Sequence, residues 1–178
     1  PILGSHDVYA EQVGRAGLSF RAVGPKIDLD EMREVRDRLN HMSPLAQINY
    51  LVDNVFLKES RRTYEDSLQA SADCEVSVNH CLDYVGRQAV IRNGLPWASV
   101  VLCPGVIRSA YDSPLEFPNP GRPGNRALWA LLDAITSRAS RRIARHMEGL
   151  DGNRRAMSLL AVESPFLNFV AASKYIGA

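Results

Sequence analysis

The chain has no excess of charge of either sign. Its 21 Lys and Arg stand against 20 Asp and Glu, leaving a formal net charge of +1 over 178 residues. So small a balance supplies no bulk field for a polyanion, and nucleic acid is excluded as an electrostatically recruited partner. Long apolar runs are missing too: nothing approaches the ~18 residues of a membrane-spanning helix, and no signal-peptide pattern is present. Cysteine is scarce. Three residues, without framework or Cys-x-x-Cys spacing, point to a reducing compartment and give no metal site. A cytoplasmic protein without a resident metal or cofactor is expected. Three catalytic signatures are absent: the Gly-x-Ser-x-Gly elbow, the phosphate-binding Gly-Lys-Ser/Thr loop and Gly-x-Gly-x-x-Gly. There is no low-complexity tract and no linker to a second domain. What is present is a globular balance, 46% hydrophobic and 23% charged, enough for one domain with a real core. The first residue is Pro1 rather than Met, so the natural protein is expected to begin further upstream.

The stretch from Asp73 to Gly105 is the most structured to read. Cys74–Val78 is β-branched and predicts a strand. Leu82, Val85, Ala89 and Arg92 keep helical spacing, and Asn93-Gly94 supplies a stop. Trp97–Leu102 is a continuous apolar run, as in a strand covered on both faces. These form one β-α-β unit with parallel strands, and ligands collect beyond the carboxyl ends of such strands. Here the ends are Asn79-His80-Cys81 and Cys103-Pro104-Gly105. Upstream, Pro1–Leu3 enters a Gly4-Ser5-His6 loop. Asp7 is expected to cap a helix over Val8–Ala16, stopped by Gly17, and Leu18–Val23 reads as a strand. Asp28–Leu39 is an amphipathic helix. Pro44 opens a longer one, with Leu45, Ile48, Val52 and Val55 as its buried stripe, running to Ala70–Ala72. Cys103–Asn125 holds five of the ten prolines and reads as a long loop. Arg126–Glu148 follows as a helix with Leu128, Leu132, Ile135, Ala139 and Ile143 on its apolar face, stopped by Gly149. Leu167–Ala171 is the last strand.

The runs Asn79–Arg87, Gly94–Trp97 and Val100–Gly105 resemble the amino-terminal half of family 1 glycosyltransferases of the GT-B fold. The closest likeness is to bacterial antibiotic-, sterol- and rhamnose-type enzymes. Gly4-Ser5-His6 with Ala16–Phe20, the proline-rich segment, the helix from Arg126 and Leu167–Ala171 fall in the same order as in that family. The resemblance implies an α/β, Rossmann-like, mostly parallel sheet with helices on both faces. It also implies an enzyme that moves a hexose from a nucleotide-diphosphate sugar to a hydroxyl of a small hydrophobic acceptor. On this reading residues 1–178 are an incomplete acceptor-binding domain, lacking the family's first strand, its Gly-rich loop with the catalytic histidine, and the donor-binding domain. Such a chain is expected to be inactive alone, and weakly stable or oligomeric through exposed sheet edges. The alternative is a non-catalytic α/β binding or regulatory domain sharing only the fold.

His80 occupies the position where the family carries the carboxylate that orients its catalytic histidine. It is the candidate catalytic residue, whether by meeting the missing histidine, binding acceptor or orienting water. The other reading is a loop histidine bonded to backbone. His6, Asn79, Cys81, Pro104 and Gly105 are candidate substrate-binding residues by their place at strand ends. Tyr111 and Phe117 either wall an apolar acceptor pocket or pin their loop. Asp83, at a helix start, reads as a cap. Cys81 and Cys103 read as small buried thiols. Arg138, Arg141, Arg142 and Arg145 form a solvated helix face.

Overall fold

Gly94 adopts φ +72°, a left-handed conformation that side-chain-bearing residues rarely take, and α5 (Tyr84–Arg92) stops just before it. The chain is described by a computed structural model covering residues 1–102, 106–114, 117–152, 158–161 and 163–171. It is a mixed α/β protein whose described strands all pair in parallel. Two compact units divide it: Pro1–Glu75 with Val85–Leu95, and Val76–Tyr84 with Pro96–Ala178.

In the first unit β1 (Ile2–Ser5) pairs with β2 (Ser19–Ala22), Ile2 opposite Ser19. The strand thus runs through Gly4-Ser5, where the sequence suggested a loop. Asp7 is not the helix cap. Residues Asp7–Tyr9 form a 3-10 turn preceded by His6, which makes no side-chain cap bond, and α1 begins only at Ala10 and ends at Arg15. Within α1 only Val13 is buried. Asp28 does cap α2 (Leu29–Asn40), accepting from the amides of Asp30 and Glu31. The helix opened by Pro44 breaks in two. α3 (Pro44–Leu51) passes into a π-helical turn over Val52–Phe56, and α4 (Ser60–Ser71) starts afresh. Val52, where the π-helical turn begins, is fully buried, while Leu45 and Val55 of the expected stripe are exposed. Asn93, just beyond α5, donates through Nδ2 to Leu68 O (3.0 Å) and Ser71 Oγ (2.8 Å) of α4.

In the second unit β4 (Trp97–Val101) is central, between β3 (Ser77–His80) and β5 (Leu167–Val170). The register sets Val78 opposite Ala98 and Leu167, and His80 opposite Val100 and Phe169. β3 starts three residues later than its β-branched pattern suggested. Cys74 N closes a turn onto Ser71 O, and the ladder opens with Ser77 N donating to Pro96 O. Trp97, Ala98 and Val101 are buried, as in a strand covered on both faces, and the polar Ser99 is buried among them. Among the described residues the strands form two sheets rather than one, and β3 has no strand partner other than β4. Val76 and Val78 are exposed there.

The helix α6 spans Gly121–Asp151, with Pro123 in its first turn. It starts five residues before Arg126. It also runs past Gly149, which is helical, to a left-handed cap at Gly152. Its buried stripe is Asn125, Trp129, Thr136, Ala139, Ser140, Ile143 and Met147. Ile135, expected on that face, is 46% exposed. Thr136 and Ser140 are tolerated inside because their hydroxyls donate to Leu132 O and Thr136 O, one turn back.

Candidate functional site

The carboxyl end of β3 is held by a short polar chain. Ser77 Oγ donates to Asn79 Oδ1 (2.8 Å), and Asn79 Nδ2 donates to Asp83 Oδ2 (3.0 Å). Asn79 is 8% exposed, so this bracing is shielded from water and each lost bond would leave a desolvated group. The chain then turns: Cys81 N donates to Val100 O and Asp83 N to His80 O. His80 is exposed, and its Nδ1 accepts from Leu82 N at 3.2 Å. That bond fixes the neutral ring's proton on Nε2. In this tautomer His80 donates through Nε2, and accepting a proton there requires the Nδ1 bond to be given up. Cys81 is buried, packed with Val101 and backed by Val106 and Ile107. Asn79, His80 and Cys81 thus adjoin the 106–107 segment at the carboxyl edge of β3 and β4. Cys103, Pro104 and Gly105 lie outside the described residues.

His6 belongs to the first unit. Its Nδ1–H donates to Pro25 O at 3.1 Å, and its ring lies under Gly24, where an added Cβ would meet His6 Cε1 at 3.2 Å and Thr63 Oγ1 at 3.1 Å. Gly24, at φ +84°, donates from its own amide to Asp66 Oδ2 at 3.0 Å. His6 therefore pins a turn. Tyr111 is 70% exposed with the Arg122 guanidinium 4.6 Å from its ring centre. Phe117 is half exposed, and its amide donates to Pro114 O. Neither aromatic is buried against the core.

A second polar centre went unread in the sequence. Arg108 is the single basic residue between Cys103 and Gly121. Its guanidinium donates to Asp133 Oδ1 at 2.5 Å and lies 5.7 Å from the Trp129 ring centre. Ser158 Oγ donates to the same carboxylate oxygen at 3.0 Å. The hydrogen bond from Arg108 holds Asp133 below its ordinary pKa of 3.8, against an opposing desolvation effect, and the Asp133 bond raises Arg108 further above its already high value. A depression of about 320 Å³ opens beside this pair, lined by Arg108, Ser109, Ala110, Arg126, Trp129 and Asp133 among others. Trp129 is 6% exposed, and its indole N–H is buried without a hydrogen-bond partner among the described residues; Asn125 Oδ1 is likewise unpartnered. Each such orphan costs about 1–3 kcal/mol. The one sequence signal was Arg108 itself, a lone cation in a proline-rich segment. Its partner lies 25 residues away, beyond any local pattern.

The ion pair carries a pH signature. Asp133 titrates lower folded than unfolded, so its stabilisation is complete above the unfolded value and is lost as pH falls through the folded one. Both side chains are about a third exposed, 37% and 36%, so solvent screening should limit the effect to about 0.5–1 kcal/mol. Urea unfolding of wild type and Asp133→Asn should differ by this amount near neutrality and converge as pH falls below the ordinary carboxylate range. A difference constant with pH would place the effect elsewhere.

Among the described residues no cluster of three or more His, Cys, Asp or Glu could hold a metal ion, and no helix is long and apolar enough to cross a membrane. Compared with protein-family models and with curated proteins, the chain matches none of them.

Proposed function

We propose that this chain is the acceptor-binding part of a Rossmann-like, GT-B-type glycosyltransferase that acts on small hydrophobic hydroxyl compounds. The observation that carries the reading is the parallel β3–β4 register, His80 opposite Val100. It brings both strand ends to one edge, the usual place for ligands in open α/β sheets. Cys81, Val101, Val106 and Ile107 give that edge an apolar floor. The His80 Nε2–H is a donor for the acceptor oxygen, and Asn79 and Asp83 brace the turn that carries it. In the transfer the acceptor oxygen bonds to the anomeric carbon, the nucleotide diphosphate leaves with its bonding electrons, and the hydroxyl proton passes to a base. With Nδ1 engaged by Leu82, His80 positions rather than deprotonates.

The test is to express the full-length gene product and screen nucleotide-activated sugars against hydrophobic alcohols and phenols by mass spectrometry. A hexose mass gain on an acceptor is expected. Binding of the same compounds without mass gain from any donor would favour a non-catalytic binding domain instead.

A further inference from the structure

We infer that the depression beside Arg108 and Trp129 binds the carboxylate of a small apolar molecule, so that the acceptors are hydroxy acids rather than neutral alcohols. The depression is lined by donors and one surplus cation. Asp133 is neutralised by Arg108 and further occupied by Ser158. Arg126 is exposed and makes no ion pair among the described residues. Ser109 Oγ accepts from the amides of Tyr111 (3.0 Å) and Asp112 (3.2 Å), which uses both lone pairs and leaves its own proton to donate. The Trp129 side chain, whose indole N–H is buried and unpartnered, forms part of the wall. A guanidinium with an unspent hydroxyl donor beside it selects an oxyanion. The Trp129 ring, Ala110 and Ala130 supply apolar wall, which suits an organic carboxylate better than inorganic phosphate. The depression also adjoins the proposed acceptor edge: Ile107, packed on Cys81 and Val101, immediately precedes Arg108. The hydroxyl end of the inference rests on the acceptor reading; the carboxylate end rests on the depression alone.

The experiment titrates the 178-residue chain with naphthoate, neutral naphthylmethanol and inorganic phosphate, following the Trp129 indole N–H resonance. Trp97→Phe separates the two indoles. Naphthoate should shift the Trp129 signal and bind about tenfold tighter than naphthylmethanol or phosphate. Arg126→Gln, at an exposed position, should remove most of that preference. Arg138→Gln, twelve residues along the same helix and so about 18 Å away, should not. Equal affinity for naphthoate and naphthylmethanol, saturation of the same signal by phosphate alone, an unmoved indole, or an Arg126→Gln chain that binds naphthoate like wild type would each overturn the inference. Transfer to neutral naphthol by the full-length protein, with no carboxylate preference, would sink the inference while leaving the acceptor reading standing. Carboxylate binding with this dependence but no transfer to hydroxynaphthoate would do the reverse.

Discussion

Ile143→Ala should destabilise the chain by about 2–5 kcal/mol, the range for deleting most of a buried Ile side chain and leaving a cavity. Ile143 is fully buried on α6, in the stripe that includes Ala139 and Met147. Close-packed interiors relax only partly around a lost side chain, so the cavity adds to the lost transfer energy. For a chain of this size each kcal/mol lowers the melting temperature by about 2–4 °C, so a fall of roughly 4–20 °C is expected. Ile135→Ala is the matched control. Its helical spacing puts it on the same nominal face, yet it is 46% exposed, and it should cost under about 1 kcal/mol. Thermal unfolding of the two variants decides between the observed stripe and the one the apolar pattern suggests. Equal losses would mean that α6 is rotated from the position described.

The second large effect is expected at Asn79→Asp. The substitution keeps the shape but replaces the amide donor with a carboxylate oxygen, 3.0 Å from Asp83 Oδ2. At an 8% exposed position a second negative charge is poorly solvated and faces a like one, so about 2–4 kcal/mol should be lost at neutral pH. The penalty should shrink as pH falls into the carboxylate range, where the two groups can share a proton. Asn79→Ser is the neutral comparison and should lack that pH dependence. Asp83 N also donates to His80 O, so loosening Asp83 loosens the turn that carries His80. Denaturant unfolding across pH reads the effect directly. A pH-independent loss would mean that the Asn79 amide and the Asp83 carboxylate are not in contact.

Local chemistry was the legible part of the sequence. Gly94 stops α5 because its effect lies within one turn of the residue itself. The largely apolar run Trp97–Leu102 pointed to a strand covered on both faces, and β4 lies there. Three features escaped for physical reasons. The π-helical turn at Val52–Phe56 has neither Pro nor Gly to announce it. The buried face of α6 carries Asn125, Thr136 and Ser140. These read as surface residues, although Thr136 and Ser140 satisfy their own hydroxyls on the preceding turn and Asn125 Nδ2 donates to Ala110 O. At the candidate site, Asn79, His80 and Cys81 were visible from strand-end position, and the β3–β4 pairing is parallel as expected. His6, read from its strand-end position, bonds to Pro25 O and lies under Gly24. The Arg108–Asp133–Trp129 centre is assembled from a loop and a helix, a juxtaposition only the fold supplies.

The acceptor reading is tested most directly by the backbone amides that respond when naphthol is titrated into the chain. Shifts at His80, Cys81, Val106 and Ile107, reduced by His80→Ala, are the predicted result. Amides that stay still at saturation, or that move only in β1 and β2, would contradict it.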